Sequence, residues 1–192
     1  YEPRGFDISH CYLIQMGRLT DKSPDFIPNQ TKEQQREDVK GLAERLKYRP
    51  DIEAVGFGQN SYPYNGSNSG TEVRYDTLQS PGWTIRRLVS PDFGRVFQYH
   101  GTRGETPEQL AELLSHPKNF LASDNLYKKR YGRDLTPLVG KQFYLFGDTT
   151  ETYTLGASLE VVRYSDYEQA WNSYSMVKLL PENWYDVGLE LC

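Results

Sequence analysis

Bulky apolar and aromatic residues run together in "CYLIQM" (11–16), a pattern that predicts a strand, and a loop rich in Pro, Asp and Asn follows it. At Thr31 the sequence "TKEQ" is a capping box, in which Thr31 accepts from the first turn and Gln34 reaches back. Val39, Leu42, Ala43 and Leu46 then fall at i, i+3, i+4 and i+7, one apolar stripe on a charged helix. Arg45, Lys47 and Arg49 suit its negative end, and Pro50 stops it. "IEAVGFG" (52–58) predicts a second strand, so residues 7–58 read as strand, amphipathic helix, strand. A polar turn-forming loop, "QNSYPYNGSNSG" (59–70), separates this unit from two more strands, "TEVRYDT" and "WTIRRLV".

The stretch "LVSPDFGRVFQYHGTRGETPEQL" (88–110) follows. Ser90 reads as an N-cap, Pro91 as the first helical position and Asp92 as a favourable early charge, with Phe93, Val96 and Phe97 on one face of a short helix. Thr106-Pro107-Glu108-Gln109 repeats that start chemistry ahead of Leu110, Leu113 and Leu114. "NFLAS" predicts a strand, "SDNLYKKRYG" a capped helix ended by Gly132, and residues 140–162 a strand, a turn and a long strand. The tail closes on strand-like "WYDVGLELC".

Composition changes this picture little. A chain of 192 residues holds one domain with a real core, or one domain carrying an insertion. A net charge of -4 argues against nucleic acid, which wants a basic face, and against tight binding to an anionic bilayer. No apolar run approaches the ~20 residues needed to cross a membrane. The chain opens on Tyr1 rather than Met, which reads as a piece excised from something longer. Cys11 and Cys192 have no metal-type spacing and make no disulfide framework.

Candidate chemistry is sparse. His10, His100 and His116 stand isolated, with no HExxH or CxxC pattern. "LVGKQF" fails as a phosphate-binding loop because Gln142 stands where Ser or Thr must bind magnesium. Asp92, Glu105, Asp124 and Asp166 could pair as glycosidase carboxylates, but the first three stand beside helix starts, where capping and the helix dipole account for them. "KKRYGR" (128–133) is a basic cluster in an acidic protein and reads as a solvated helix face. The loop "YPYNGSNSG" is the best candidate for recognition: Tyr62 and Tyr64 offer rigid amphipathic area, while Asn65 and Asn68 offer adaptable hydrogen bonds. No nucleophile, base and oxyanion donor come together in this sequence.

The order of "GFDISHCYLI", "IEAVGFGQNSYPYNGSN", "RLVSPDFGRVFQYHGTRG" and "NFLASDNLYKKRYG…PLVGKQFYLFG…LEVVRYSDYE" resembles the MacB-like periplasmic core domain of ABC transporter permeases of the MacB/FtsX type. Val89 to Phe97 is similar to that family's Val-(Ser/Thr)-Pro-Asp elbow, with Gly94 where an aromatic is expected. Phe120 to Phe143 is similar to its strand, helix, Gly-Lys strand run, and residues 161–168 to its exit strand. The resemblance covers about residues 5 to 168. It implies an α+β fold, with a porter-like β-α-β layer built from residues 1–70 and 166–192 and a strand-rich, sabre-like subdomain inserted at 71–165. It also implies a truncated return: an incompletely covered apolar sheet face near 185–192, tied to the strand at 11–16.

In function the resemblance implies a non-enzymatic, extracytoplasmic domain on the periplasmic side of the inner membrane. Such a domain is anchored by flanking helices outside this chain and transmits a conformational change driven by a cytoplasmic ATPase subunit. It engages substrate or a periplasmic partner such as an adaptor, a lipoprotein or a hydrolase, and it requires no small-molecule cofactor and no metal. The expected contact surface is the Tyr62–Asn68 loop with the elbow rim around Tyr99 and Arg103. Two rivals remain: a carbohydrate-active or other hydrolytic enzyme, expected to gather carboxylates about 5 to 10 Å apart in a cleft, and a free-standing periplasmic ligand-binding module, expected to carry a deep apolar pocket.

Overall fold

A computed structural model of the chain describes residues 4–15, 21–59, 61–64, 69–163, 167, 173–181 and 190–191. Helix α1 runs Lys32–Lys47 behind the expected box, with Thr31 Oγ1 accepting from the Gln34 amide and Gln34 Oε1 accepting from the Thr31 amide. Helix α3, Pro107–Ser115, begins the same way from Thr106 and Gln109. Among the described residues two four-residue helices join them: α2, Phe93–Val96, and α4, Lys128–Tyr131, which Gly132 ends in the left-handed region. The helices accompany a mixed sheet, and the fold is α+β.

Among the described residues eleven strands join in one sheet. From one edge it runs through β1 (Ile14–Gln15), β11 (Glu190–Leu191), β2 (Phe57–Gln59), β6 (Thr84–Val89) and β10 (Ser175–Leu179). It continues through β7 (Asn119–Ser123), β9 (Tyr153–Leu159), β8 (Gln142–Leu145), β4 (Val73–Tyr75) and β5 (Leu78–Gln79), while β3 (Gly70–Thr71) pairs with β6. Boundaries at 70 and 165 divide the two ends of this sheet but not its centre. Strands β1, β11 and β2 come from the first and last segments, yet β6 lies against β2, and β10 is inserted between β6 and β7. β10 runs parallel to β6, Met176 opposite Arg86, and antiparallel to β7, Val177 opposite Leu121. A central strand must satisfy its amides and carbonyls on both edges, and here the late strand does so for two strands of the middle segment.

Three expected elements came out differently. Strand "IEAVGFG" is reduced to Phe57–Gln59. Ser90 does not cap α2: its hydroxyl accepts from the Phe57 amide at 2.9 Å while its own amide donates to the Phe57 carbonyl at 2.8 Å, so it extends the β2–β6 ladder by a side chain. Ser123 likewise bonds Ser175 across the sheet (2.9 Å from the Ser175 amide), and the segment after it starts as a 3-10 turn, Asp124–Tyr127, before α4. At both serines a buried strand amide wins over a helix end, because a helix start can take water and a buried amide cannot.

Among the described residues the buried apolar side chains gather in three clusters. One lies around Phe120, Phe143, Tyr127 and Leu155, a second around Phe93, Phe97, Leu110 and Leu159, and a smaller third holds Ala43 of α1 with Val55, Phe57, Leu88 and Leu180. No helix among the described residues is long and apolar enough to cross a membrane.

Candidate functional site: the elbow and its rim

The elbow starts where β6 ends. The Phe93 amide donates to the Ser90 carbonyl at 3.1 Å, closing the Ser-Pro-Asp turn, and α2 then drops its aromatic residues inward. Phe93 is fully buried and Phe97 is 3% exposed, with ring centroids 4.7 Å apart. Gly56 makes this seat: a Cβ there would stand 2.9 Å from Phe93 Cα, a backbone atom that cannot swing aside. Half-exposed ion pairs fasten the outside, Asp92 to Arg95 at 3.2 Å and to Lys47 of α1 at 3.8 Å, and Arg95 to Glu108 of α3 at 3.7 Å.

The N-terminal segment lies across this joint. The Asp7 amide donates to the Phe97 carbonyl at 3.0 Å, and the Cys11 thiol donates to the Val96 carbonyl at 3.2 Å. Partial burial, then the charge of Asp7, pushes the Cys11 thiol up from its usual range. Gly5 packs against Val161, and the Arg163 amide donates to the Arg4 carbonyl at 2.9 Å. Residues 4–11 therefore touch both the elbow and the segment that leaves β9.

The expected contact residues separate in space. Tyr99 is 2% exposed, inside the core against Phe93 and Phe97, so it forms part of the packing and not of an outer rim. Arg103 is exposed and donates from Nη2 to the Thr136 carbonyl at 2.7 Å. Tyr62 packs half-buried on the elbow cluster, whereas Tyr64 is 42% exposed with φ 63° and meets Phe6 edge-on at 6.1 Å. Buried Arg87 holds the base of that loop by donating to the Ser61 carbonyl at 2.6 Å. Asn65 and Asn68 lie outside the described residues.

The carboxylates are engaged in structural bonds. Asp124 Oδ1 accepts from the Thr136 amide and hydroxyl, both at 2.7 Å, and from the Ser158 hydroxyl at 2.9 Å. Burial opposes its ionisation, but these bonds outweigh burial and hold the carboxyl below its usual range. Thr102 extends the clasp, its hydroxyl 2.6 Å from that of Thr136. Asp124 thus fastens β7, β9 and the Thr136 turn together, a role that helix capping did not suggest. The Thr-Pro dipeptide at 136–137, a turn start in want of a cap, was its one trace in the sequence. Glu105 accepts from the Arg103 amide at 3.0 Å, and Asp166 lies outside the described residues. Between α1 and the elbow runs a groove of about 250 Å³ lined by Ala43, Val55, Phe57 and Pro91, with Glu44 and Asp92 both paired to Lys47. Among the described residues no three His, Cys, Asp or Glu side chains gather as a metal site would require.

No family model matches the chain, and no curated protein matches it. Among solved structures, the periplasmic region of MacB from Actinobacillus actinomycetemcomitans is similar over 93% of this chain and 71% of that one, at 9% identity and a TM-score of 0.48. A superposition this loose does not by itself assign a function.

Proposed function

We propose that this chain is the extracytoplasmic domain of an ABC transporter permease, a non-catalytic element that carries ATP-driven motion to a substrate or periplasmic partner. The reading starts from the elbow and exit-strand residues that resemble the MacB/FtsX type. The observation that carries it is the pairing of the first strand with the last: Ile14 lies opposite Leu191 and Gln15 opposite Glu190. A domain inserted between two membrane helices must return its chain to where it set out, and here both strands share one edge of the sheet. In this reading the route for motion from the N-terminal segment to the elbow is the pair of bonds from Asp7 and Cys11 to the carbonyls of Phe97 and Val96. The contact surface in this reading is the loop bearing Tyr64, Asn65 and Asn68 together with Arg103. Tyr62 and Tyr99 belong instead to the packing of the elbow cluster.

The gene that encodes the chain tests this directly. Apolar spans of about 20 residues are expected on both sides of the segment, and the intact protein is expected to co-purify from membranes with an ATPase. Their absence, or a full-length product that is secreted without a membrane span, overturns the reading.

A further inference from the structure

On the sheet surface away from the elbow, two ammonium groups converge on one ring. Lys118 Nζ lies 5.0 Å and Lys178 Nζ 4.8 Å from the centroid of Tyr153. Their surroundings differ. Lys118, well exposed, has a carboxylate, with Glu151 Oε2 at 2.9 Å, and that same oxygen accepts from the Tyr153 hydroxyl at 2.9 Å. Lys178, half-buried on β10, donates to the Pro117 carbonyl at 3.0 Å, and among the described residues no carboxylate pairs with it. Asp148, the other acidic group facing this cluster, is occupied by the amide and hydroxyl of Thr150. Burial, and then the charge of Lys118, hold the Lys178 ammonium below its ordinary range. Lys178 is a cation taken partly out of water beside a second cation, and the Glu151 carboxylate offsets only part of this because it is bonded to Lys118 and to Tyr153, so a further anion stabilises the site.

The adjoining surface indicates what carries the anion. Phe146 meets Tyr153 edge-on at 6.5 Å, is 41% exposed, and is held at φ 62° in a tight turn, an unusual backbone for an aromatic residue. Arg86 lies over the Phe146 ring at 5.8 Å from its centroid. An apolar ring beside a lysine pair fits a peptide that alternates acidic and apolar side chains better than it fits a free inorganic ion, which has nothing to set on Phe146. We propose that Lys178 and Lys118, with Tyr153 and Phe146, form a docking point for an acidic, extended segment of a protein partner. This inference stands apart from the transporter reading.

The test titrates the chain with an acetylated, amidated pentapeptide of alternating Glu and Leu, and with its Gln counterpart, at about 10 mM and about 300 mM salt. The acidic peptide is expected to bind at low salt, to weaken at high salt, and to lose roughly tenfold in Lys178→Gln. Lys178→Arg keeps most of that affinity. Lys118→Gln, on an exposed residue whose loss does not threaten folding, weakens it severalfold, and so does Phe146→Ser. Equal binding of the Gln peptide, or unchanged affinity in both Gln variants, overturns the proposal. So does lysine-dependent binding of inorganic phosphate or of phosphatidylglycerol vesicles in place of the peptide, since the anion then comes from another source.

Discussion

Helices α1 and α3 begin with the same chemistry and end up doing different work. Each opens on a threonine whose hydroxyl accepts from the third helical amide while a glutamine reaches back. Yet α1, 16 residues long, buries only Ala43 fully, and α3, 9 residues long, buries Pro107, Leu110, Ala111 and Leu114. The cap fixes where a helix starts, but its place in the fold is fixed by what its apolar face meets. For α3 that is the elbow cluster, where Leu110 and Leu114 pack with Phe93, Phe97 and Leu121. For α1 it is a small satellite core over β2 and β6, with Val39, Leu42 and Leu46 only partly covered.

Core truncations should expose this contrast most strongly. Leu110→Ala, at a site 1% exposed, is expected to destabilise by about 3–4 kcal/mol, and Leu46→Ala by only about 1 kcal/mol. Urea unfolding midpoints of the two variants measure the gap, and equal losses would mean that α1 is as deeply seated as α3. A smaller effect is expected at the clasp beside the elbow. Asp124→Asn is expected to cost about 1–3 kcal/mol, since it weakens a partly buried acceptor of three bonds. The Asp124 carboxyl titrates lower in the folded chain than in the unfolded one, so its contribution is complete above about pH 4 and is lost as pH falls through the folded value. Wild type and Asp124→Asn should therefore converge in stability below about pH 4 and stay apart at neutral pH. A constant difference across that range would remove the carboxylate from the account. The smallest effects belong to the caps, with Thr31→Ala and Thr106→Ala each expected to cost about 1 kcal/mol. Helix-resolved hydrogen exchange should show Thr31→Ala fraying the start of α1 alone, while Thr106→Ala loosens the elbow with it.

What could be read from the sequence was whatever is local. Both capping boxes, the αL stop at Gly132, and strands 84–89 and 119–123 came from neighbours a few residues apart. The elbow was legible as an element and illegible in its seat, because Gly56 matters only once Phe93 is known to lie against it. The serines at 90 and 123 look like helix caps in the sequence for a related reason. A helix start and a buried strand amide both ask for a hydroxyl, and only the sheet order says which is near. Tyr99 reads as a rim residue in the sequence because a tyrosine beside a turn has no local mark of burial. Of the expected contact surface, Tyr64 and Arg103 are exposed, while the lysine pair on Tyr153 left no trace at all. Lys118, Tyr153 and Lys178 are brought together by pairing β7 with β9 and β10, a contact that spans 60 positions of chain.

The place of β10 has a consequence for biosynthesis. Its five residues, 175–179, complete the middle of the sheet after nearly everything around them has been made. Until they emerge from the ribosome, the edges of β6 and β7 that β10 later pairs present rows of unpaired backbone amides and carbonyls. The nascent domain is therefore expected to stay sticky and in need of a chaperone until β10 has been made, and to complete its sheet only then. A stop codon shortly before Ser175 would strand it in that open condition.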